Sequence, residues 1–417
     1  MVGVMLEAAA VRAGAIGRPL AGLRVLDLTR VLAGPYASML LGDMGAEIVK
    51  LEAPGGDETR AIPPVQGGES HYFLSVNRNK RSIVIDLRRE EGRRVAADLV
   101  KISDVLVENF RPGVAKRLGL DAEMATKLNP RIVYCSISAF GQDGPWADRS
   151  AFDIVVQALS GAMSITGSAD GEPVRSGIPI ADISAGMFAA IGVLGGLVDV
   201  ARTGTPHVVD ISMLDSMIGM LGYLAGSHFM TGKEPQRFGN GHPSIVPYGA
   251  YSASDGYVVI AVLTERFWPK LCDALGRPDL ATDSRFDSNA KRIEARELIE
   301  TLVKDVIKTK TVSYWCDRLA LADVPHAPVL SVSEALALDQ ARARRDVVTV
   351  DHAALGEIDI LGPVLKFDAT PAVTASPPVL GADTIDVLSN DLGYEPAFVQ
   401  QLLDAGVAQA LPGGSGR

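Results

Sequence analysis

The sequence contains few cysteines, and the three that are present, Cys135, Cys272 and Cys316, lie far apart and form no CxxC pair. This spacing excludes a disulfide framework and a zinc ribbon, and it is typical of a reducing compartment. The six histidines are also dispersed, with no HxxxH or HExxH motif that would indicate a metal site. We therefore expect a cytoplasmic protein without a bound metal.

Positive charge is scarce as well, since the formal net charge is −10. This balance argues against nucleic acid or an anionic membrane as a partner, because no basic field attracts phosphate groups. The longest apolar run, residues 183–198, is shorter than the ~20 residues that span a bilayer, and we interpret it as a buried helix of a soluble protein. Residues 1–20 lack the basic start of a signal peptide and are interpreted as a flexible extension.

A strand–helix–strand pattern opens the organised part of the chain. Residues 24–28 (RVLDL) and 46–53 (AEIVKLEA) have the composition of strands, and between them lies a helical stretch with Pro35 in its first turn. Further strand-like runs occur at 82–87, 104–110, 131–138 and 207–214. The alternation of strands and helices predicts an α/β fold with a doubly wound, Rossmann-like parallel sheet.

The pattern changes near residue 225. Residues 226–249 are rich in Gly, Pro and polar residues, which is typical of a linker or a functional loop. Two strands around a turn are predicted at 249–263, and helices follow. We divide the chain into an extension at 1–20, a large α/β domain at 21–224, a small α+β domain at 225–330 and a return segment at 331–417 that completes the large domain.

The strand–helix–strand start also favours a dinucleotide site, because Glu52 ends the second strand where an acid would contact a ribose. Such a site needs a Gly-rich turn after RVLDL, and the sequence there is TRVLAGP. A dinucleotide-dependent oxidoreductase therefore remains as an alternative from another class of enzyme.

Asp182 precedes the long apolar run and has two interpretations. As a helix N-cap it would contribute roughly 1 kcal/mol of stability. As a nucleophile it would be ionised at neutral pH and held as an anion by the helix N-terminus, and it would attack only an activated acyl group such as a thioester. The small neighbours that leave room for a substrate are Ala181, Ser184, Ala185 and Gly186. The residues alone leave both interpretations open.

Two further segments have possible functions. In the loop Gly239-Asn240-Gly241-His242, backbone N–H groups without a nearby Cβ would be exposed to stabilise an oxyanion, or the segment is a plain turn. Basic residues also lie near strand ends, at 77–82 and further along the chain. Several of them at one sheet edge would form a phosphate site, whereas each alone is an ordinary surface charge.

Ordered blocks along the chain resemble the class III coenzyme A transferases, a group that contains formyl-CoA:oxalate and carnitine CoA-transferases together with the 2-methylacyl-CoA racemases. The resemblance extends from about residue 22 to residue 407. It is carried by the blocks GLRVLDLTRVLAGPYASMLLGDMGAEIVKLE, NRNKRSIVIDLR, DVLVENFRPGVAKRLGL, NPRIVYCSISAFGQDGP, FDIVVQALSGAMSITG, ADISAGM and GNGHP.

The resemblance implies an activity and a mechanism. The aspartate that matches Asp182 is the family's covalent nucleophile, which forms an aspartyl anhydride with the donor acyl group and then an aspartyl-CoA thioester. A carboxylic acid acceptor receives CoA through a second anhydride. Gly239, Asn240 and Gly241 match the loop that shields these intermediates from water. The resemblance also implies a homodimer of interlocked, ring-like chains.

The resemblance further assigns the contacts with CoA, which is a substrate here, to the first helix and to the ends of strands. The assigned residues are Leu32, Ala33, Ile85, Leu87, Arg88, Asn109, Phe110, Arg111, Arg117, Ile137, Ser138, Ala139 and Phe140. Arg88 and Arg117 are expected to contact phosphate groups, and residues 137–140 are expected to follow the pantetheine arm.

The racemase branch of the family is the nearer alternative. A racemase needs two acid/base groups on opposite faces of the substrate, and the second is a histidine in a GHD block. This chain has AFD, with Phe152 at the histidine position. Because phenylalanine carries no transferable proton, the sequence favours a CoA-transferase over a racemase.

Overall fold

The computed structural model describes residues 18–367 and 374–411. Most of the predicted extension at 1–20 therefore lies outside the described residues. The described chain forms two compact units. The larger unit contains the residues up to Ser160, Gly177–Gly222 and the residues from Gln340 onwards, and the smaller unit contains Gly161–Ser176 and Tyr223–Asp339. Residues 161–176, which the sequence analysis assigned to the large domain, lie in the smaller unit.

The strands of the described residues are short and are numbered along the chain. They are β1 (Arg24–Asp27), β2 (Glu47–Glu52), β3 (Val65–Gln66), β4 (Glu69–Ser70), β5 (Lys80–Ile85), β6 (Val105–Glu108), β7 (Val133–Ser138), β8 (His207–Ser212), β9 (Tyr248–Ser252), β10 (Tyr257–Ala261), β11 (His326–Pro328), β12 (Val347–His352), β13 (Gly356–Leu361) and β14 (Ala408–Gln409).

The helices are numbered in the same way. They are α1 (Ala33–Asp43), α2 (His71–Val76), α3 (Glu90–Lys101), α4 (Val114–Leu118), α5 (Ala122–Leu128), α6 (Asp153–Leu159), α7 (Ala162–Ile165), α8 (Ile180–Thr203), α9 (Met213–Met220), α10 (Tyr223–Thr231), α11 (Phe267–Ala274), α12 (Asp279–Thr282), α13 (Asn289–Glu294), α14 (Arg296–Ile307), α15 (Val312–Leu321), α16 (Val332–Leu336), α17 (Asp339–Ala343), α18 (Thr384–Asp386) and α19 (Pro396–Asp404). A 3₁₀ turn at Glu58–Ala61 and a π turn at Val387–Asp391 complete the set.

The larger unit is built on a seven-stranded sheet with the order β14-β5-β2-β1-β6-β7-β8. Its strands are parallel, except that β14 runs antiparallel to β5. Counted along the chain, the parallel strands lie in the order 3-2-1-4-5-6, as in doubly wound α/β folds. The predicted parallel sheet is thus present. Its strand order reverses between β1 and β6, which is where ligands of such sheets bind, beyond the carboxyl ends of the strands.

Helices cover both faces of this sheet. On one face, Leu26 of β1 packs in an apolar cluster with residues of α3, α5 and α19. Asp27 points to the other face, where its Oδ2 accepts a hydrogen bond of 2.6 Å from Ser38 Oγ of α1. Helix α8 lies on this second face as well, because its Gly196 contacts Val133 of β7.

The smaller unit contains the antiparallel sheet β11-β10-β9. Strands β9 and β10 flank a turn, as the sequence predicted for 249–263. They pack with α11, α14 and α15 around a separate core that includes Trp268 and Phe286. The predicted loop at 226–249 is wrong at its start, because helix α10 continues to Thr231. Its apolar residues Phe229 and Met230 favour helix despite the glycines nearby.

Helix α8 is longer than the predicted run at 183–198. Its length and composition alone would allow it to cross a membrane, and 44% of the apolar window is buried inside the fold. One side packs on β7 and β8 through glycines, whereas the other side exposes Phe188 and Ile191, the latter with 62% of its surface. The prediction of a buried helix is therefore confirmed only for the side that faces the sheet.

Close packing between α8 and α1 depends on Gly186. A Cβ at this position would lie 2.6 Å from the carbonyl oxygen of Ala33, whereas Gly195 of the same helix faces open space. We expect Gly186→Ala to lower the free energy of unfolding by ~1–3 kcal/mol, because the two backbones must separate. The matched variant Gly195→Ala should raise it by ~0.5–1 kcal/mol. Urea unfolding of both variants checks this, and equal effects would contradict it.

Candidate active site

The N-terminus of α8 is capped by a carboxylate from another helix. Pro179 is the N-cap residue and has no side-chain hydrogen bond to offer. Asp153, the first residue of α6, accepts hydrogen bonds at Oδ1 from the backbone N–H groups of Ala181 (2.8 Å) and Asp182 (3.4 Å). The interpretation of Asp182 as the N-cap is therefore wrong, since its side chain lies within the first turn.

The side chain of Asp182 is half-buried in the larger unit. Burial raises its pKa from the ordinary value of 3.8 to about 7, and the negative charge of Asp153 adds to the effect. The sequence analysis expected the helix N-terminus to hold Asp182 as an anion. That expectation is wrong for a physical reason, because Asp153 already occupies the N–H groups that would stabilise the charge.

Asp182 lines a pocket of about 290 Å³ that opens where the strand order of the sheet reverses. The pocket wall consists of the segments that follow β1, β6 and β7, together with the start of α8. Eight of the predicted CoA contacts line it, namely Leu32, Ala33, Asn109, Phe110, Arg111, Ile137, Ser138 and Ala139. Phe152 lines it as well, with 74% of its surface exposed.

A second pocket of about 310 Å³ lies beyond the ends of β1, β2 and β5. Leu87 and Arg88 line it, which are two further predicted CoA contacts. Phe110 and Arg30 line both pockets and form the wall between them. The Arg30 guanidinium lies 5.9 Å from the centre of the Phe110 ring and pairs with Glu58 at 2.7 Å. The two pockets therefore lie side by side along the carboxyl edge of the sheet.

The remaining predicted CoA contacts lie outside these two pockets. Ile85 is fully buried in the core of the sheet, because β5 is an interior strand. Arg117 is exposed on α4, and Phe140 packs edge-to-face on Trp146 with the ring centres 5.5 Å apart. Arg88, which was expected to contact phosphate, makes an ion pair of 2.8 Å with a neighbouring carboxylate, Asp86.

Two buried lysines hold the turn that joins β1 to α1. Lys50 Nζ donates a hydrogen bond of 2.8 Å to the carbonyl oxygen of Thr29, at the start of the turn. Lys80 Nζ donates one of 2.9 Å to the carbonyl oxygen of Pro35, in the first turn of α1. Lys50 was missed, because a lysine in a strand is read as a solvent-facing residue. Lys80 belongs to the basic stretch 77–82 that was considered for a phosphate site, and this is wrong for Lys80 because its side chain is fully buried and paired with Asp27.

Each lysine is balanced by a buried carboxylate. Lys50 lies 3.1 Å from Asp57 and Lys80 lies 3.1 Å from Asp27, and all four side chains are shielded from solvent. The turn between them contains Val31, whose φ of 68° is a strained conformation for a β-branched residue. The lysine contacts therefore stabilise a turn whose last residues line the pocket of Asp182.

Two residues of the site were missed by the sequence analysis. Asp153 directly follows Phe152 in the sequence and was missed because the resemblance drew attention to Phe152. The role of Asp153 as a cap is visible only from the position of α8. Arg149 lines the pocket and lies 4.5 Å from the Trp146 ring. Within the described residues, the Arg149 side chain has no ion-pair partner. The aromatic residues around it in the sequence were the available signal for a held cation.

The glycine loop lies in the smaller unit, and the N–H groups of its two glycines donate hydrogen bonds to backbone carbonyl oxygens. Gly239 N–H donates to the carbonyl oxygen of Gly167 at 2.9 Å, and Gly241 N–H donates to that of Phe238 at 2.8 Å. The expectation that these groups are exposed for an oxyanion is therefore wrong for both glycines, because turn formation satisfies them. The shielding role of the segment, including Asn240, remains a prediction.

The raised pKa of Asp182 predicts a dependence of stability on pH. Such a carboxyl contributes stability that is fully present below pH 3.8 and is lost as the pH rises through about 7. The free energy of unfolding of Asp182→Asn at pH 8 should therefore exceed that of the wild type by ~2 kcal/mol. This is about half the difference expected for a fully buried carboxyl, because some solvent reaches the Asp182 side chain. The difference should vanish near pH 3.

Urea unfolding at a series of pH values measures this difference. Asp170→Asn, at an exposed position, is the control and should match the wild type throughout. A difference for Asp182→Asn that is independent of pH would contradict the proposed burial of its charge.

Comparison with known proteins identifies a family that matches most of the chain. The sequence model of CoA-transferase family III matches residues 20–384. Succinyl-CoA:glutarate CoA-transferase of Mus musculus is 37% identical over 395 residues, which are 94% of this chain and 91% of that protein. Acetyl-CoA:oxalate CoA-transferase of Acetobacter aceti is 41% identical over 332 residues, which are 79% of this chain and 85% of that one.

The fold is shared with a solved structure. The crystal structure of a CAIB/BAIF family protein from Brucella suis has a TM-score of 0.82 and 36% identity, and covers 90% of this chain and 100% of that chain. Neither this likeness nor the relatives support the dinucleotide-dependent alternative. The chain belongs to CoA-transferase family III, and it is an enzyme that moves CoA from an acyl-CoA donor to a carboxylic acid.

Proposed function

We propose that Asp182 is the nucleophile of this transfer. The observation that carries the proposal is the position of its side chain, which lines the pocket at the reversal of strand order and is not used to cap its own helix. A half-buried carboxylate is poorly hydrated, and a poorly hydrated carboxylate attacks an acyl carbonyl more readily than a solvated one.

The proposed reaction has four steps that exchange acyl bonds. The Asp182 carboxylate attacks the thioester carbonyl of the donor, CoA leaves as a thiolate and an anhydride forms. The thiolate then attacks the Asp182 carbonyl of that anhydride, which gives an aspartyl-CoA thioester and releases the donor acid. The acceptor carboxylate attacks this thioester and expels the thiolate, and a second anhydride forms. Attack of the thiolate on the acceptor carbonyl yields the new acyl-CoA and free Asp182.

The two neighbouring pockets support the placement of CoA along the sheet edge. The thioester would lie in the pocket of Asp182, and the nucleotide end would lie beyond the Phe110 wall, near Leu87 and Arg88. This placement uses ten of the thirteen predicted contacts. With this placement the enzyme is a transferase of sulfur-containing groups, and CoA is its substrate and not a resident cofactor.

Short dicarboxylic acids are the substrate class that we propose. The names of the relatives specify succinyl-CoA with glutarate, acetyl-CoA with oxalate and succinyl-CoA with mesaconate. In this chain Arg30, Arg111 and Arg149 line the pocket of Asp182. Arg30 is paired with Glu58, so the positive charges of Arg111 and Arg149 are the ones that favour an acid with a second carboxylate.

The pocket does not support the racemase alternative. Among the described residues that line the pocket of Asp182 there is no histidine, and Phe152 occupies the position of the racemase base. Glu58 is the other acid on that wall, and it is paired with Arg30. Proton abstraction next to a thioester needs a second group that exchanges protons.

We also propose that the chain forms a homodimer, as the family resemblance implied. Exposed apolar side chains lie on α8 and α6, and they include Phe188, Ile191 and Ile154. A second copy would remove this surface from water. Sedimentation equilibrium of the wild type should give the mass of a dimer, and Ile191→Glu should shift the equilibrium towards monomer by at least tenfold. A monomeric wild type would contradict the proposal.

Intact-mass analysis after incubation with succinyl-CoA tests the proposed nucleophile. Without an acceptor acid, the wild type should gain the mass of CoA less one water, as an aspartyl thioester. Asp182→Ala should gain nothing and should lose activity by a factor on the order of 10⁴. Asp170→Ala, at an exposed position in the smaller unit, is the matched control and should form the adduct. An adduct of equal yield on Asp182→Ala would remove Asp182 from the mechanism.

A further inference from the structure

Glu108, the last residue of β6, is a buried acid next to the proposed CoA pockets. Only 3% of its surface is exposed. Its Oε2 accepts a hydrogen bond of 2.7 Å from the backbone N–H of Phe110, and its Oε1 accepts one of 3.1 Å from the Tyr134 hydroxyl of β7. The side chain therefore turns back on the chain segment that follows its own strand.

This carboxylate is buried without a cation. Within the described residues, no lysine, arginine or histidine makes an ion pair with Glu108. Burial raises its pKa to about 7, against the effect of the two hydrogen bonds. An apolar residue of the same size would avoid this cost of desolvation. Stability of the fold therefore does not account for an acid at this position.

The segment that Glu108 holds forms the wall between the two pockets. Phe110 lines both pockets, and Arg111 lines the pocket of Asp182. The neighbouring Asn109 is tied to the turn after β1, because its Oδ1 accepts from Arg30 N at 2.8 Å and its Nδ2 donates to the Arg30 carbonyl oxygen at 2.7 Å. Glu108 is thus the buried end of a clamp that fixes the segment 109–111 against two strands.

We propose that Glu108 is a positioning residue for CoA, which it serves by fixing Phe110 and Arg111 in the wall that CoA contacts. Glu108 itself touches neither CoA nor the reacting atoms. This inference rests on the proposed placement of CoA in the two pockets. Loss of the clamp raises the dissociation constant of CoA and leaves the chemistry at Asp182 unchanged, because Asp182 is held by Asp153 on other elements.

Glu108→Met in the full chain is the main test. Methionine matches the length of glutamate, offers no comparable acceptor and removes the buried charge. We expect calorimetry to show that the dissociation constant of this variant for free CoA rises at least tenfold. Its KM for succinyl-CoA should rise by the same factor, whereas its kcat should stay within threefold of the wild type. Removal of the buried charge and loss of the two hydrogen bonds act on stability in opposite directions, so binding is measured where urea unfolding shows that the variant is folded. An unchanged kcat beside a raised KM separates positioning from a merely structural role.

Two further variants complete the experiment. Glu108→Gln keeps one acceptor oxygen, so its KM should rise about threefold. Glu123→Gln removes an exposed acid of α5 that pairs with Lys127, and this matched control should bind CoA as the wild type does.

The outcomes separate the two proposals. Failure of the wild type to bind free CoA would overturn the proposed function. Normal binding of CoA by the wild type, together with an unchanged dissociation constant in folded Glu108→Met, would overturn the inference on Glu108 alone. If Glu108→Met does not fold, an unchanged KM in Glu108→Gln overturns the inference.

Discussion

One hydrogen-bonded contact determines the character of the site, namely the capping of α8 by Asp153. The first N–H groups of a helix attract the nearest carboxylate, and two carboxylates compete for them here. Asp153 reaches them from α6 and satisfies them. Asp182 is left half-buried on the pocket wall beside a second negative charge, and its pKa is raised to about 7. The acid that carries the proposed chemistry is therefore the one that does not cap.

The turn that brings Leu32 and Ala33 to the pocket of Asp182 depends on buried charges. Lys50 and Lys80 hold the carbonyl groups at the two ends of the β1–α1 turn, and each is balanced by a carboxylate. Buried ion pairs of this kind add little to stability, because desolvation offsets their attraction. They do restrict the turn to one geometry, including the strained backbone of Val31. This restriction holds Leu32 and Ala33 in fixed positions on the pocket wall.

Most of the larger unit could be predicted from the sequence, and the reason is local. Runs such as RVLDL and SIVIDL have the apolar, β-branched composition of buried parallel strands, and they alternate with helices. Residues at the ends of such strands meet at one edge of the sheet. Asn109 and Ser138, which the resemblance assigned to CoA, line one pocket at this edge. The smaller unit was harder, because glycines and prolines obscured helix α10.

The errors share a physical cause, namely contacts that no pattern at the residue itself shows. The resemblance assigned Ile85 to CoA, yet β5 is an interior strand and buries that side chain. The N–H groups of Gly239 and Gly241 were expected to be free, and carbonyl groups of Gly167 and Phe238 accept from them. Neither acceptor is marked by any pattern at the glycines themselves.

The sequence by itself determined the order of strands and helices, the family and the identity of the acid at position 182, because these depend on composition and spacing along the chain. Only the tertiary structure decided which carboxylate caps α8, which lysines hold the turn and that Tyr134 of β7 donates to Glu108. These contacts join residues from different elements, and their strength depends on burial and distance, which a linear pattern does not encode.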